Sequence, residues 1–545
     1  MKSSRMWIWQ LVGGWHCIFK SIMNNLVAIT LRKWPTAIEA FLLRLADTIN
    51  SRGWIFVGIF GIAYFFMACY KAKRKLFWFD EIFTVYISRL PDFSAIVDAL
   101  KHGADLNPPL FYEWVRVSAF FLNDEHLATR MPSIIGVGTL CLCLYRFVSL
   151  RSSAVGGLIA GLFPLVTGAL YYSYEARPHG IVVGFAALAL VCWQSAIDPA
   201  HSQRRLGWLL GLGLALVCAT LTHGYALVIF APLSLAELYR CLSCRRIDWA
   251  MCATFALAST AMIAPFWMLH VVKQYVPAAF YAPSFTLLAK SYISNLGEGL
   301  PMIALAFGMF LSRPLTVSGL PAVSEASFGG PTRFELLACL GFVAIPVIVF
   351  LLSLLTGAPQ LPRYSLTCVI GFAALVGFSV PRKSASGLYL VILLIGLIGL
   401  NFMKFCFSTS IVEPSSSLDI STFRPKYEET YNIFLDSSTQ SFPILVVDKM
   451  FFPVLLYYAP QNLRNRLTIL FWNKSDSIAG GAKALQNCCN APGQVLDGND
   501  FMTSNKTFFV FTSQLNDLDF LVKFGASVSW QKTISRGSFF FVRLP

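Results

Sequence analysis

Long apolar runs separated by short polar segments dominate the first 405 residues of the chain. A helix of about 20 apolar residues crosses the hydrocarbon core of a bilayer, so runs near this length predict membrane-spanning helices. Such runs occur near residues 54–70, 131–149, 154–173, 179–196, 206–222, 224–239, 249–268, 299–312, 335–356, 365–380 and 387–405, and the run at 299–312 is the shortest. The pattern predicts an all-α polytopic membrane domain with about 11 spans.

The pattern changes after the last apolar run, over residues 410–545, where Asn and Ser become common and charge rises. Alternating stretches predict strands at SFPILVVD, RLTILFW, TFFVFTS, SVSWQKTI and SFFFVRL, and helices at FFPVLLYYAP and LNDLDFLVKFGA. This segment is predicted to be an α/β domain. No glycine-rich phosphate loop follows PILVVD, which favours a structural or docking domain over a nucleotide-binding one.

Composition supports the membrane assignment, since 56% of the residues are hydrophobic and only 13% are charged. Soluble domains carry about 25% charged residues. The net charge of +15 does not indicate a nucleic-acid partner, because no basic cluster is interleaved with aromatic residues. Most of the 14 cysteines lie inside apolar runs, where Cys packs as a small apolar residue.

Basic residues predict the orientation, because cytoplasmic loops are enriched in Lys and Arg. Residues 1–53 are basic and amphipathic, which predicts interfacial helices on the cytoplasmic face. Five later clusters then lie inside as well: Arg146 with Arg151, Arg204 with Arg205, Arg240 with Arg245 and Arg246, Arg313 with Arg333, and Arg382 with Lys383. The first outer loop, 71–130, and the C-terminal domain are then extracytoplasmic. A basic cluster at residues 71–75 violates the rule, either as a local exception or as a rim that attracts anionic lipid.

Polar residues at the predicted outer ends of the helices are candidates for chemistry. Asp80 and Glu81 follow the first span. Carboxylates so close to a bilayer are energetically costly, so they are normally kept for a function. The alternative is that Asp80 merely caps the helix EIFTVYISRL. Glu175 and Arg177 in YYSYEARPHG form a second pair, whose alternative is a salt-bridged turn.

Two further outer helix ends carry candidate residues. Arg363 and Tyr364 lie in LPRYSL, where an Arg fork suits phosphate oxygens, although interfacial snorkelling explains such a pair almost as well. His223 in THGY can either donate to a phosphate or satisfy a turn.

The ordered series FWFDEIFTVYISRL, NPPLFYEW, ATRMPS, YYSYEARPHG, THGYAL and LPRYSL resembles the polytopic GT-C glycosyltransferases, and within them the group of bacterial protein O-mannosyltransferases and aminoarabinose transferases (glycosyltransferase family 39-like). The resemblance covers about residues 54–405, within a membrane domain placed at 54–409. It implies a bacterial inner-membrane enzyme that moves a hexosyl or pentosyl group from a polyprenyl-phosphate donor to an acceptor hydroxyl on the outer face, with inversion. The acceptor is a glycan, a lipid or a protein.

The resemblance also implies roles for the candidate residues. Asp80 matches the family's first-loop acid and is expected to be the base, with Glu81 as the other choice or as a residue that binds a metal or orients the acceptor. Arg177, Arg363 and Tyr364 are expected at the donor phosphate, with Glu175 and His223 beside the sugar or phosphate. Asn107 and Arg130 fall in matching motifs, and Arg130 is expected to be structural.

Metal dependence and the function class stay open at this point. Asn107 stands where the family often has His, and its amide is a poor ligand for a transition metal. The acids Asp80, Glu81 and Glu175 leave room for a hard divalent ion. A transporter or flippase of lipid-linked sugars is the alternative function, but transporters place polar residues near the bilayer midplane in repeated halves. Here the charges gather at one rim, which favours an enzyme.

Overall fold

The computed structural model describes residues 36–267, 270, 282–311, 330–380, 386–407, 432, 442–448, 451–471, 482–483, 485–487, 489, 493–512, 518–534 and 537–545. The membrane domain contains helices α1 (Thr36–Arg74), α2 (Phe79–Ser88), α3 (Phe93–Lys101), α4 (Leu110–Phe121), α5 (Glu125–Ser149), α6 (Ala154–Leu162), α7 (Gly168–Ser173), α8 (His179–Ile197), α9 (Arg205–Thr222), α10 (Phe230–Cys244), α11 (Trp249–Ser259), α12 (Phe285–Leu296), α13 (Leu300–Leu311), α14 (Arg333–Val343), α15 (Ile345–Thr356), α16 (Cys368–Phe378) and α17 (Ser386–Phe407). Short 3₁₀ turns at Gly224–Ile229 and Pro362–Ser365 precede α10 and α16.

The helical membrane architecture is confirmed, and the chain is an integral, multi-pass membrane protein. Within the described residues, seven helices are long and apolar enough to span, and α14 with α15 make an eighth span if the pair is counted as one. That pair bends by 54°, and Pro346 near the start of α15 removes a helical hydrogen bond at the break. The other predicted runs are helical but shorter, with apolar helices at Ala154–Val166, Leu300–Leu311 and Cys368–Phe378. The number eleven therefore stays a prediction.

The predicted N-terminal segment lies mostly outside the described residues, which begin at 36. From there α1 runs into the first span, and its one non-helical residue, Arg52, lies beside the predicted boundary at 53. Whether residues 1–53 lie on the membrane surface stays a prediction.

Glycines let α5 and α8 approach each other closely. A Cβ atom on Gly136 would lie 2.3 Å from the carbonyl oxygen of Gly180, and one on Gly184 would lie 2.4 Å from the carbonyl oxygen of Gly136. Small residues at such crossings allow backbones to pack without a hydrophobic driving force. As a result the turn before α8 lies against α5, where the Ser133 hydroxyl donates to the carbonyl oxygen of Arg177 at 2.8 Å.

The C-terminal α/β domain is confirmed. Its sheet has the order β3-β2-β1-β4-β6-β5, built from β1 (Ile444–Val446), β2 (Leu467–Phe471), β3 (Gln494–Asp497), β4 (Thr507–Thr512), β5 (Ser527–Ile534) and β6 (Gly537–Arg543). Strands β1 to β4 pair in parallel, and β6 pairs antiparallel with β4 and β5. Helices α18 (Phe452–Tyr458), α19 (Gln461–Arg464), α20 (Gly498–Ser504) and α21 (Asp519–Lys523) accompany the sheet.

Every strand predicted in this domain is present, and β3 is the strand that sequence analysis missed. β3 lies at one edge of the sheet, and its sequence QVLD is only four residues long, with both end residues exposed. So short a strand offers too few positions for a hydrophobic alternation to be recognised. Most of residues 408–441 lies outside the described part of the chain, so the domain boundary at 410 stays a prediction.

Candidate active site

The acidic pair lies in the first turn of α2, and the structure gives its two members different surroundings. The helix begins at Phe79, and the Glu81 carboxylate accepts a hydrogen bond from the Trp78 backbone N–H at 2.9 Å. The capping interaction therefore belongs to Glu81, and the alternative interpretation of Asp80 as the N-cap is wrong. Successive helical residues point about 100° apart, so Asp80 faces another direction.

Glu81 is fully buried and has partners on both carboxylate oxygens. Arg130, also fully buried, donates from Nε to Oε1 and from Nη2 to Oε2, both at 2.8 Å. The Lys75 ammonium lies 3.4 Å from Oε2, and the Ala176 backbone N–H donates to Oε1 at 2.7 Å. Burial alone would raise the pKa of Glu81, but the charges of Arg130 and Lys75 outweigh it and lower that pKa to about 2.

This ion pair joins the segments that surround the site. Arg130 also donates to the backbone carbonyls of Lys75 at 2.6 Å and Leu76 at 2.9 Å, at the end of α1. Together, Glu81 and Arg130 connect α1, α2, α5 and the turn before α8. Both side chains are thus held in the interior by each other and by neighbouring backbone groups, and the roles expected for Arg130 and Glu81 stay predictions.

Asp80 stands in an open position between two arginines. Its Oδ2 lies 3.4 Å from Nη1 of Arg363 and 4.0 Å from Nε of Arg177, and one-fifth of its side chain is exposed. The structure thus brings together an acid and two arginines that are far apart in sequence. Asp80 is the member of the acidic pair that is exposed to solvent, whereas the Glu81 side chain is not.

Asp105 is the functional candidate that sequence analysis missed. Arg177 donates from Nη1 to Oδ2 of this acid at 2.6 Å and from Nη2 to Oδ1 at 3.3 Å, and the Asn107 amide donates to the same Oδ1 at 3.3 Å. Burial would raise the pKa of Asp105, but the Arg177 charge lowers it below its ordinary value. Its position two residues before Asn107 in ADLNPPL was the available signal.

Asp105 accepts two hydrogen bonds from Arg177, and the backbone carbonyl of Asp80 accepts another at 3.1 Å, while the Asp80 carboxylate lies 4.0 Å from Nε. Nε of Arg177 and Nε of Arg363 are both buried and have no hydrogen-bond partner within the described residues. Buried donors without protein partners are costly, so these two N–H groups are able to pair with water or with a polar ligand beside Asp80.

Glu175 is buried in the turn between α7 and α8, and its Oε2 has no hydrogen-bond partner within the part of the chain that is described. Burial raises the pKa of Glu175, and the nearby Lys75 charge offsets this only in part. Glu175 differs in this respect from Glu81, whose oxygens are fully engaged. A buried acid with a free oxygen can accept or donate a hydrogen bond to a ligand.

A cluster of aromatic and imidazole rings borders the arginine side of the site. Tyr225 and Tyr364 stack with ring centroids 4.4 Å apart, and His223 lies 5.4 Å from Tyr364. His223 accepts a hydrogen bond from the Tyr225 backbone N–H, and burial followed by the charges of Arg177 and Arg363 lowers its pKa to about 3. His223 is therefore neutral at physiological pH and can act as a hydrogen-bond donor or acceptor, not as a cation.

Within the described ranges, no group of three or more His, Cys, Asp or Glu side chains is arranged to hold a metal ion. The charged partners of Asp80 in this structure are guanidinium groups.

No protein-family model matches the chain, and no curated protein matches it. Among solved structures, it is similar to ArnT from Cupriavidus metallidurans, in the apo state and bound to undecaprenyl phosphate. Each superposes with a TM-score of 0.53 and 16% sequence identity, over 90% of this chain and 98% of ArnT. This likeness confirms the GT-C-type fold that the motif series implied, with its C-terminal domain.

Proposed function

We propose that this protein is an integral membrane glycosyltransferase that moves a sugar from a polyprenyl-phosphate donor to an acceptor hydroxyl on the extracytoplasmic face. One observation carries the proposal: the Asp80 carboxylate is accessible and lies within 4.0 Å of two guanidinium groups. Sugar transfer from a lipid phosphate requires this combination, namely a base for the hydroxyl and cations for the departing phosphate. The fold likeness to ArnT, solved with undecaprenyl phosphate, supports it.

In the proposed reaction, Asp80 accepts the proton of the acceptor hydroxyl. The hydroxyl oxygen forms a bond to the anomeric carbon, and the bond from that carbon to the phosphate oxygen breaks, which releases polyprenyl phosphate. Attack from the face opposite the phosphate inverts the anomeric carbon. A positioned base contributes about 10²–10⁴-fold to such a step.

The arginines stabilise the charge that develops on the leaving phosphate. Arg363 is the stronger candidate, because a third of its side chain is exposed and its Nη1 lies 3.4 Å from the Asp80 carboxylate. Arg177 is more buried and is held by Asp105, so it contributes a fixed positive charge. Glu175, His223 and Tyr364 form the remaining wall, where they contact the sugar or the phosphate.

The proposed location is the bacterial inner membrane, with the N-terminus cytoplasmic and the C-terminal domain extracytoplasmic. The basic loop clusters support this orientation through the positive-inside rule. The site residues Asp80, Asp105 and Arg363 all lie outside the candidate spans, at one end of the bundle. A transporter of lipid-linked sugars would place its charges at mid-membrane, so this position favours the enzyme.

Substituting Asp80→Asn tests the proposal directly. The purified variant and wild type are assayed in nanodiscs with a panel of polyprenyl-phosphate sugars and extracted envelope acceptors, and released polyprenyl phosphate is quantified by mass spectrometry. We expect transfer to fall about 10²–10⁴-fold in the variant. Asp98→Asn is the matched control, since Asp98 is an exposed acid of the same outer loop.

Two outcomes would overturn the proposal. Full activity in Asp80→Asn excludes this residue as the base. Movement of a lipid-linked sugar across proteoliposome membranes without product formation would identify the protein as a transporter instead.

A further inference from the structure

The C-terminal domain shares a hydrophobic core with the segment that leads into Asp80. Leu76, Phe77 and Ile82, at the α1–α2 junction, belong to the same buried cluster as residues of α18 and the sheet. Val454 and Leu455 of α18 are almost completely buried in this cluster. The C-terminal domain therefore packs against the segment that carries Asp80, the proposed base.

A specific hydrogen bond accompanies this packing. The Phe77 backbone N–H donates to the hydroxyl of Tyr458, the last residue of α18, at 2.9 Å. The next N–H, that of Trp78, donates to Glu81. Two successive backbone donors between α1 and α2 are thus satisfied by side chains, one from the membrane domain and one from the C-terminal domain.

Aromatic contacts hold the Phe77 side chain at the same junction. Its ring stacks on His126 with centroids 4.1 Å apart, and the Arg130 guanidinium lies 4.8 Å from its centroid. The ring of Tyr457 meets it edge-on at 5.7 Å, while the Tyr457 hydroxyl donates to Glu125 at 2.5 Å. The C-terminal domain therefore contacts both the backbone and the side chain of Phe77.

We propose that Tyr458 is a positioning residue through which the C-terminal domain fixes the backbone before Asp80. This inference rests on the proposed function, because it assigns the domain a part in that reaction. Asp80 lies three residues after Phe77, so a shift of the Phe77 backbone is transmitted to its carboxylate. A misplacement of about 1 Å at a reacting group costs about 10²-fold in rate.

The test uses Tyr458→Phe, which keeps the ring and removes only the hydroxyl. Tyr292→Phe is the matched control, because the Tyr292 hydroxyl likewise bonds to the backbone, donating to the carbonyl oxygen of Val343 at 3.0 Å, away from this junction. Hydrogen–deuterium exchange of peptides covering residues 76–82 is measured in the full-length proteins, together with kcat, KM for the donor and the thermal midpoint.

We expect faster exchange at 76–82 and a fall in kcat of about 10-fold or more in Tyr458→Phe, with donor KM and thermal midpoint close to wild type. The control should match wild type in exchange and kcat. Unchanged exchange in Tyr458→Phe would show that the hydrogen bond from Phe77 to Tyr458 does not hold this backbone. Faster exchange with unchanged kcat would show that Tyr458 does not position Asp80. Exchange is measured without substrate, so it tests the hydrogen bond between Phe77 and Tyr458 even if no donor is used. A wild-type protein that is inactive with every donor would refute the proposed function alone.

Discussion

Replacing Glu81 by Gln tests whether this acid anchors the fold or takes part in chemistry. The substitution keeps the shape of the side chain but removes the charge that compensates Arg130, and both residues are fully buried. Breaking a buried ion pair by removing one partner costs about 3–5 kcal/mol, because an uncompensated charge is left in the interior. Glu81→Gln should therefore lower the free energy of unfolding by several kcal/mol.

The pKa of Glu81 points in the same direction. Burial alone would raise this pKa, but the charges of Arg130 and Lys75 outweigh burial and hold it below its ordinary value. A lowered pKa stabilises the folded state fully above the ordinary pKa, and this stabilisation is lost only as the pH falls toward the lowered value. The full effect is therefore present at neutral pH.

The assay is thermal denaturation of purified protein in detergent, read by size-exclusion chromatography. Glu113→Gln is the matched control, since Glu113 pairs with Arg116 at 2.8 Å on a partly exposed surface, where ion pairs contribute at most about 1 kcal/mol. The double variant Glu81→Gln with Arg130→Met should be less destabilised than the sum of the single variants, because no buried charge is orphaned. A wild-type melting midpoint for Glu81→Gln, combined with a loss of transfer as large as that of Asp80→Asn, would refute the anchoring role.

Three further predictions concern the site and the topology. Asp105→Asn should reduce transfer about 10-fold or more by freeing Arg177 to pair with Asp80, and wild-type activity in purified Asp105→Asn would contradict this. Because the pKa of His223 is lowered to about 3, its ring stays neutral above pH 5. The plot of transfer rate against pH from 5.5 to 8 should therefore have the same shape in wild type and in His223→Gln, and a transition that is present in wild type but absent from the variant would contradict this. Single cysteines are placed at the exposed positions His102 and Ser202, in a background without the exposed native cysteines. The two positions should be labelled from opposite faces of the membrane, and labelling of both from one face would contradict the topology.

Much of the architecture could be predicted because its signals are local. The apolar runs around α5 and α8 are visible residue by residue, and so are the alternating patterns of β4 and β6. A helix or strand that buries most of its length must carry such a pattern. β3 was missed because its four residues are too few to show a recognisable alternation.

The candidate site could be predicted only in part, because its contacts join residues that are far apart in sequence. The motif series pointed to Asp80, Arg177 and Arg363, and the structure places them together. Asp105 was overlooked because its partner, Arg177, lies 72 residues away in sequence, and no local pattern records such a contact. The hydrogen bond from Phe77 to Tyr458 spans 381 residues and was equally invisible.

Sequence patterns alone indicate that adjacent acids follow the first span of a polytopic membrane protein and that an α/β domain follows its last span. The resemblance favoured Asp80 as the base, but residue patterns could not separate Asp80 from Glu81, since neighbouring acids share the same local context. The tertiary structure separates them, because the helical rotation between adjacent residues turns Glu81 into the protein against Arg130 and leaves Asp80 facing the arginines of the open site. The different surroundings of Asp80 and Glu81 depend on which basic side chains the other helices place on each side of α2. Packing across the whole bundle determines those positions.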